Sequence, residues 1–148
     1  MIKNRFHAFL DESYGKNDYY MAAIVLDDQR YNILVRNLES VVAHAHEKFN
    51  IPITTELHAH RMMHGLAPWE CFREAVALYR AAARAIRKCG AYLLVEGLDV
   101  VRLNRRYKYP DSPYEITLRH LLERIDNLTC QSRRESCSIT ADLIDRHR

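Results

Sequence analysis

Apolar runs of strand length alternate with segments of helical periodicity, and this alternation is the feature that most restricts how the chain can fold. Runs at residues 6–10 and 19–26 flank the turn-forming cluster 11–18, which predicts an antiparallel hairpin. Further strands are predicted at residues 53–58, 91–96 and 137–141. The resulting order β, β, α, β, α, β, α, β predicts an α/β fold, a mixed sheet with helices on both faces.

Three amphipathic helices are predicted between these strands. The first begins after Asp27-Asp28, ends at residues 50–52 and carries apolar residues three or four apart: Leu34, Leu38, Val41, Val42, Ala45 and Phe49. The second is opened by Pro68 and closed by Gly90, and its predicted core face is Trp69, Phe72, Val76, Tyr79, Ala83 and Ile86. The third begins with a capping box at residues 112–115 and continues through Tyr114, Leu118, Leu121, Leu122, Ile125 and Leu128.

The length of 148 residues predicts one domain that covers residues 1–148. The longest purely apolar run, residues 21–26, is too short to cross a bilayer, and the basic first residues lead into no signal-peptide core. The four cysteines include no C-x-x-C pair, so they are expected to be reduced and packed as small apolar residues. A cytoplasmic location is therefore predicted.

Positive charge is concentrated in the second half of the chain. Residues 1–74 contain 8 Lys/Arg and 10 Asp/Glu, whereas residues 75–148 contain 14 and 9, within a net charge of +3. This distribution favours a polyanionic partner that contacts the C-terminal half. The alternative is that the charges only solvate helix surfaces.

Three carboxylates stand in or directly after apolar strand-like runs: Asp11, Glu56 and Asp142. A carboxylate beside a core is costly to bury unless it is hydrogen-bonded, paired or bound to a cation. If their strands are neighbours, the three acids can converge and hold Mg²⁺ or Mn²⁺, which prefer oxygen ligands and support phosphodiester hydrolysis. The alternative is that these residues cap turns or the next helix.

The same residues carry a resemblance to a known family. The motifs Phe9-Leu10-Asp11-Glu12-Ser13, Thr55-Glu56-Leu57-His58-Ala59 and Ser138-Ile139-Thr140-Ala141-Asp142, in this order, resemble the domain-of-unknown-function 3800 family. The resemblance covers nearly the whole chain and implies an RNase H-like fold and a divalent-metal nuclease. It places Asp11, Glu56 and Asp142 at the acidic positions, with Glu12 and His58 at flanking positions.

Two departures from the family pattern bear on the site. Tyr14 stands between Ser13 and Gly15, where the family usually has Gly directly after Ser, and the chain ends at Arg148, earlier than is usual in the family. Residues 141–145 therefore correspond to either of two late acidic motifs. Asp145 becomes a candidate fourth carboxylate, and truncation of the domain at its C-terminus stays open.

Histidines and a basic segment supply the remaining candidates. His58 is a candidate general base or a candidate hydrogen-bond donor to the scissile phosphate. The rival is a transition-metal site of Glu56, His58 and His60, which would share one strand face. A loop is predicted at residues 102–110 whose cations contact nucleic-acid backbone, and these are Arg102, Arg105, Arg106 and Lys108. The alternative for the loop is a solvated surface.

Together these observations predict a divalent-metal-dependent nuclease that hydrolyses phosphodiester bonds in DNA or RNA. Asp11, Glu56 and Asp142 are the predicted ion ligands, and Glu12 and His58 are predicted to support them or to transfer protons. The alternative is a non-catalytic RNase H-like module that binds nucleic acid or a protein partner. A membrane partner is not expected.

Overall fold

The computed structural model describes residues 5–130 and 136–141. Four strands are present: β1 (Arg5–Tyr14), β2 (Asp18–Asp27), β3 (Tyr92–Asp99) and β4 (Ser136–Ala141). The helices are α1 (Asp28–Phe49), α2 (Ala59–Met63), α3 (Phe72–Lys88), α4 (Val100–Arg106) and α5 (Pro113–Thr129). The chain divides into two compact units, a sheet unit of Met1–Asp28 with Tyr92–Arg148 and a helical unit of Gln29–Ala91.

The sheet unit contains a mixed sheet with strand order β3-β2-β1-β4. β2 pairs antiparallel with both β1 and β3, and β4 pairs parallel with β1. The predicted hairpin and the mixed α/β fold are therefore confirmed, although β1 continues to Tyr14, beyond the predicted start of the turn. The turn is closed by the Gly15 amide, which donates to the Asp18 carbonyl at 2.9 Å.

Helix α5 covers one face of this sheet. Its buried residues Leu121 and Ile125 pack with Ala8, Leu10, Met21, Ala23 and Val25 of β1 and β2. The predicted capping box is confirmed, since the Glu115 amide donates to Ser112 Oγ at 3.2 Å and the Ser112 amide donates to the Glu115 carboxylate at 3.2 Å. Because side chains alternate along a strand, the residues between the buried ones point to the opposite face.

The helical unit has a separate core beneath α1, α2 and α3. Its buried residues are Ala45, Ile51, Met62, Trp69, Ala75 and Leu78. Helix α1 has the predicted boundaries, but only Leu34 and Ala45 of its predicted face are buried, and Phe49 is exposed.

The strand predicted at residues 53–58 is wrong. The Thr55 amide donates to the Pro52 carbonyl at 2.9 Å, so the chain turns there, and residues 56–58 pair with no described strand. Ile53 is 61% exposed. β-branched residues favour strands only where a neighbouring strand and a packed face are available.

Three further predictions of local structure are wrong. Helix α3 begins at Phe72 rather than at Pro68, because the chain turns at Leu66, whose carbonyl accepts from the Trp69 amide at 2.9 Å. The buried face of α3 is Ala75, Leu78 and Ala85, so Tyr79 and Ala83 of the predicted face are exposed. Residues 102–106 are helical, not a loop, because the Asp99 carboxylate accepts from the Arg102 amide at 2.8 Å and caps α4.

Across the described ranges, the helices include none with both the length and the apolar composition needed to span a bilayer.

Candidate functional site

Asp11 lies in β1 opposite Ala22 of β2, and it is exposed. Since Leu10 is buried in the core beneath α5, Asp11 points to the other face of the sheet. Its Oδ1 accepts a hydrogen bond from the Glu12 amide at 2.9 Å. An exposed carboxylate on a strand that is paired on both sides is a well-positioned oxygen donor for a hard cation.

The strand β4 approaches the same end of the sheet as Asp11. The parallel register pairs Phe9 with Thr140 and Leu10 with Ala141, which is the last described pair. In the sequence Asp11 follows Leu10, and Asp142 follows Ala141. Asp142 and Asp145, both predicted as ion ligands, lie outside the described residues.

Glu12 lies on the opposite face of the sheet from Asp11. It pairs with Met21 of the α5-facing core and is partly buried. Burial first, and then the Glu12 carboxylate and the phenols of Tyr114 and Tyr14, raise the pKa of Tyr19 to about 12. Tyr19 therefore stays protonated at neutral pH, and Glu12 belongs to this tyrosine-rich surface rather than to the face that carries Asp11.

Glu56 and His58 belong to the helical unit. Glu56 is exposed in the segment that was predicted to be a strand, and His58 is the residue before α2, at its N-cap, without a side-chain capping bond. The rival metal site of Glu56, His58 and His60 depended on strand alternation at these positions. Because residues 53–58 are not a strand, that argument for a shared face is wrong.

The predicted cations of the basic segment lie on and just after α4. Arg102, Arg105 and Arg106 are exposed residues of the helix, and Lys108 follows it. The Arg106 guanidinium lies 5.7 Å from the centre of the Tyr107 ring, and Lys108 Nζ lies 5.4 Å from that of Tyr109. Tyr109 is 86% exposed. This surface therefore presents cations beside exposed aromatic rings, the combination that binds single-stranded nucleic acid.

Helix α4 starts at the same end of the sheet as the β1–β2 turn. Asp18 pairs with Asp99, and the Val100 amide donates to the Asn17 carbonyl at 2.9 Å. Asp11 lies three residues before the end of β1, roughly 10 Å along the strand. β1 and β3 are two strand spacings apart, again about 10 Å. The start of α4 therefore lies about 10 Å from Asp11 along the strands and about 10 Å across them.

An exposed aromatic residue on the Asp11 face was missed by the sequence analysis. Tyr20 pairs with Ser13 across the hairpin and with Gly97 of β3, and it is 48% exposed. A Cβ on Gly97 would lie 2.6 Å from the Tyr20 ring, so glycine is required for the ring to lie flat across β3. The alternation of β2 could have revealed Tyr20, because it shares a face with Ala22, which lies opposite Asp11.

A second group that the sequence analysis missed links three elements of the sheet unit. His7 Nε2 lies 2.7 Å from Asp28 Oδ1, and His7 Nδ1 lies 3.2 Å from Ser138 Oγ. The bond with His7 is the main cause that lowers the pKa of Asp28, and the Arg5 amide, 3.3 Å from Oδ2, adds to it. This chain joins β1, β4 and the start of α1, and nothing in the spacing of the three residues indicates it.

The described residues contain no group of three or more His, Cys, Asp or Glu side chains placed to hold a metal ion. Asp11 lies within that part of the chain, whereas its predicted partners Asp142 and Asp145 lie outside it. The donor chemistry fits Mg²⁺ or Mn²⁺, because the predicted ligands are all carboxylates.

Comparisons with protein-family models, with curated proteins and with solved structures each find no significant match to this chain.

Proposed function

We propose that this chain is a divalent-metal-dependent nuclease that hydrolyses phosphodiester bonds in DNA or RNA. The observation that carries the proposal is the parallel pairing of β1 with β4, whose last described pair, Leu10 with Ala141, immediately precedes Asp11 and Asp142 in the sequence. Neighbouring parallel strands deliver their carboxyl ends to one edge of a sheet.

In this proposal Asp11 and Asp142 hold Mg²⁺ or Mn²⁺, with Asp145 as a further carboxylate. When bound, the ion lowers the pKa of a water molecule and stabilises charge on the leaving oxygen. The attacking water gives a proton to solvent as its oxygen forms a bond to phosphorus, the bond from phosphorus to the leaving oxygen breaks, and the leaving oxygen takes up a proton from solvent. Glu56 and His58, predicted as an ion ligand and a proton-transfer residue, belong to the helical unit and have no assigned part in this step. Glu12, predicted to support the ligands or to transfer protons, lies on the opposite face of β1 from Asp11 and has no assigned part either.

Nucleic acid is the proposed substrate because α4, which carries exposed cations, starts beside the β1–β2 turn, at the end of the sheet towards which β1 runs from Asp11. Arg105 and Arg106 are exposed, and in the described ranges neither forms an ion pair. Phosphate groups bind such cations without regard to sequence. Tyr20 and Tyr109 offer exposed rings for base stacking. A cytoplasmic location is part of the proposal, and the four free cysteines agree with a reducing compartment.

A non-catalytic module that binds nucleic acid or a protein partner is the second candidate. It is favoured by the lack, among the described residues, of any three grouped ligands. Under this alternative the α4 surface would bind nucleic acid while Asp11 would have no metal-dependent role.

Cleavage of single-stranded and duplex DNA and RNA of unrelated sequences, with Mg²⁺, Mn²⁺ or EDTA, tests the proposal. We expect cleavage that requires the ion and falls to background in Asp11→Asn. Asp18→Asn, a change in an exposed aspartate of the same hairpin, is the matched control and should cleave like the parent. Cleavage by Asp11→Asn at the parental rate would contradict the proposal, and binding without any cleavage would favour the second candidate.

The substrate surface is tested separately by the salt dependence of binding. Replacing Arg105 and Arg106 with Ala should reduce the slope of log affinity against log salt by about 1.5 to 2, as expected for two lost phosphate contacts. The control replaces Arg80 and Arg84, two exposed arginines of α3, with Ala. An unchanged slope in the α4 variant would show that this surface is only solvated.

A further inference from the structure

Two histidine rings lie next to each other, one on the short helix α2 and one on the residue that follows it. His60 and His64 are four residues apart, and both are exposed. Their ring centres are 4.2 Å apart, with an angle of 35° between the ring planes. Residues four apart along a helical turn project from the same side, which places the two imidazoles next to each other.

The hydrogen bonding of His64 leaves a specific nitrogen available. His64 Nδ1 lies 2.8 Å from the His60 carbonyl oxygen. A carbonyl can only accept, so Nδ1 is the donor, and in the neutral imidazole Nε2 is the nitrogen that has a lone pair for a metal ion. Metal-bound histidines commonly have this arrangement, in which one ring nitrogen donates to a backbone carbonyl and the other binds the metal.

A third imidazole lies nearby. The His58 ring centre is 6.4 Å from that of His60, and the two rings are nearly perpendicular at 82°. No three His, Cys, Asp or Glu side chains of the described residues are placed to hold one ion together, so His58 is not counted as a ligand. Imidazole nitrogens suit Ni²⁺, Cu²⁺ and Zn²⁺ and are poor ligands for Mg²⁺.

We propose that His60 and His64 form a two-histidine binding site for a divalent transition-metal ion of the Ni²⁺ and Zn²⁺ class, with solvent water as the remaining ligands. The site uses nitrogen donors of the helical unit and is independent of the proposed carboxylate site and of the proposed nuclease function.

Calorimetric titration of the full chain with Ni²⁺ tests the site. Ni²⁺ is the probe because exposed thiols, such as those of Cys71 and Cys130, compete more strongly for Zn²⁺. We expect one Ni²⁺ per chain and a loss of affinity of about tenfold or more in His60→Gln and in His64→Gln. Loss of the groups that only support a ligand already costs 10- to 100-fold, as a rough guide.

Two controls make the result specific. His120→Gln, which changes an exposed histidine of α5, should bind Ni²⁺ like the parent, and so should Asp11→Asn. A loss in Asp11→Asn would place the ion at the carboxylates and overturn the proposal, as would parental affinity in both His60→Gln and His64→Gln.

The unsubstituted protein gives a second test that does not depend on how the variants fold. Proton NMR during titration with Zn²⁺, with the thiols blocked, should shift the imidazole signals of His60 and His64 together as one equivalent is added. Shifts confined to other histidines would overturn the proposal.

Discussion

The sheet unit and the helical unit hold their polar side chains by different means. In the sheet unit, Asp11 and His7 lie on β1, whose register is set by pairing with β2 on one side and β4 on the other. In the helical unit, Glu56 and His58 lie in a segment without regular structure, next to the five-residue helix α2. Side chains on paired strands are held in place more accurately than those on loops. Asp11 is therefore held in place more accurately than Glu56 or His58.

The cores of the two units also differ in how well their buried groups are satisfied. The sheet unit buries aliphatic side chains from two strands and a capped helix of 17 residues. The helical unit buries the large indole of Trp69, whose Nε1 has no hydrogen-bond partner among the described residues. An unsatisfied buried donor costs about 1 to 3 kcal/mol. We therefore expect the helical unit to be the less stable of the two.

The largest expected effect is in the core of the sheet unit. Leu121→Ala should lower the free energy of unfolding by about 3 to 5 kcal/mol, because Leu121 is 0% exposed between α5 and the strands. Its neighbour Leu122 is 38% exposed, and Leu122→Ala should cost less than about 1 kcal/mol. Urea denaturation followed by circular dichroism measures both. Equal losses would contradict the assigned buried face of α5.

A smaller loss is expected in the helical unit. Met62→Ala removes a side chain that is 0% exposed and should cost about 2 to 3 kcal/mol, whereas Met63, 41% exposed, should tolerate alanine. Amide hydrogen exchange makes the comparison between units sharp. In Met62→Ala, the protection of the α3 amides against exchange should fall, while the protection of the β1 and β2 amides should stay at the parental level. A parallel fall in the strands would show that the two units unfold as one.

The capping box of α5 gives the next effect. Ser112→Ala should reduce stability by about 0.5 to 2 kcal/mol, because the Glu115 amide loses its acceptor. Ser40 is an exposed serine inside α1 whose hydroxyl donates to the Arg36 carbonyl, and Ser40→Ala should leave stability within about 0.5 kcal/mol of the parent. Thermal melts of the two variants provide the test. A larger loss of stability in Ser40→Ala than in Ser112→Ala would contradict the capping role of Ser112.

The smallest effect concerns the pH dependence of the His7–Asp28 contact. The pKa of Asp28 is lowered from 3.8, chiefly by the hydrogen bond with His7, so the ionised form favours the folded state. This contribution is present above the ordinary pKa and is lost as the pH falls through the lowered one. Asp28→Asn should therefore weaken the loss of stability on acidification, measured by urea denaturation between neutral pH and pH of about 2. An acid limb identical to that of the parent would contradict the contact.

The sequence was a good guide where strands pair and where caps are explicit. The hairpin, β3, β4 and α5 were predicted because alternation, turn residues and the motif beginning at Ser112 agree with one another. Residues 53–58 show where prediction from local sequence fails. Their β-branched composition is typical of strands, but strand formation depends on a partner elsewhere in the chain, which local sequence does not specify.

The candidate site was predictable only in part. Asp11 could be predicted because it directly follows a buried apolar run. The strand β4, which pairs parallel with β1, could be predicted because it is itself an apolar run of strand length. The adjacency of β1 and β4, the cap that Asp99 gives to α4, and the ring contact of His60 with His64 all depend on distances that spacing does not fix. The sequence therefore indicated the chemical groups, and tertiary contacts determine their grouping.

Thermal melting with and without Mg²⁺ tests the central claim, that Asp11 is a ligand of a hard cation, most directly. We predict that Mg²⁺ raises the melting temperature of the parent and not that of Asp11→Asn. Without the ion, Asp11→Asn should be at least as stable as the parent, because grouped carboxylates repel one another. Asp142→Asn should behave in the same way. The claim is contradicted if the parent does not respond to Mg²⁺ and Asp11→Asn loses about 0.5 to 2 kcal/mol, the result expected for a carboxylate that only caps a turn.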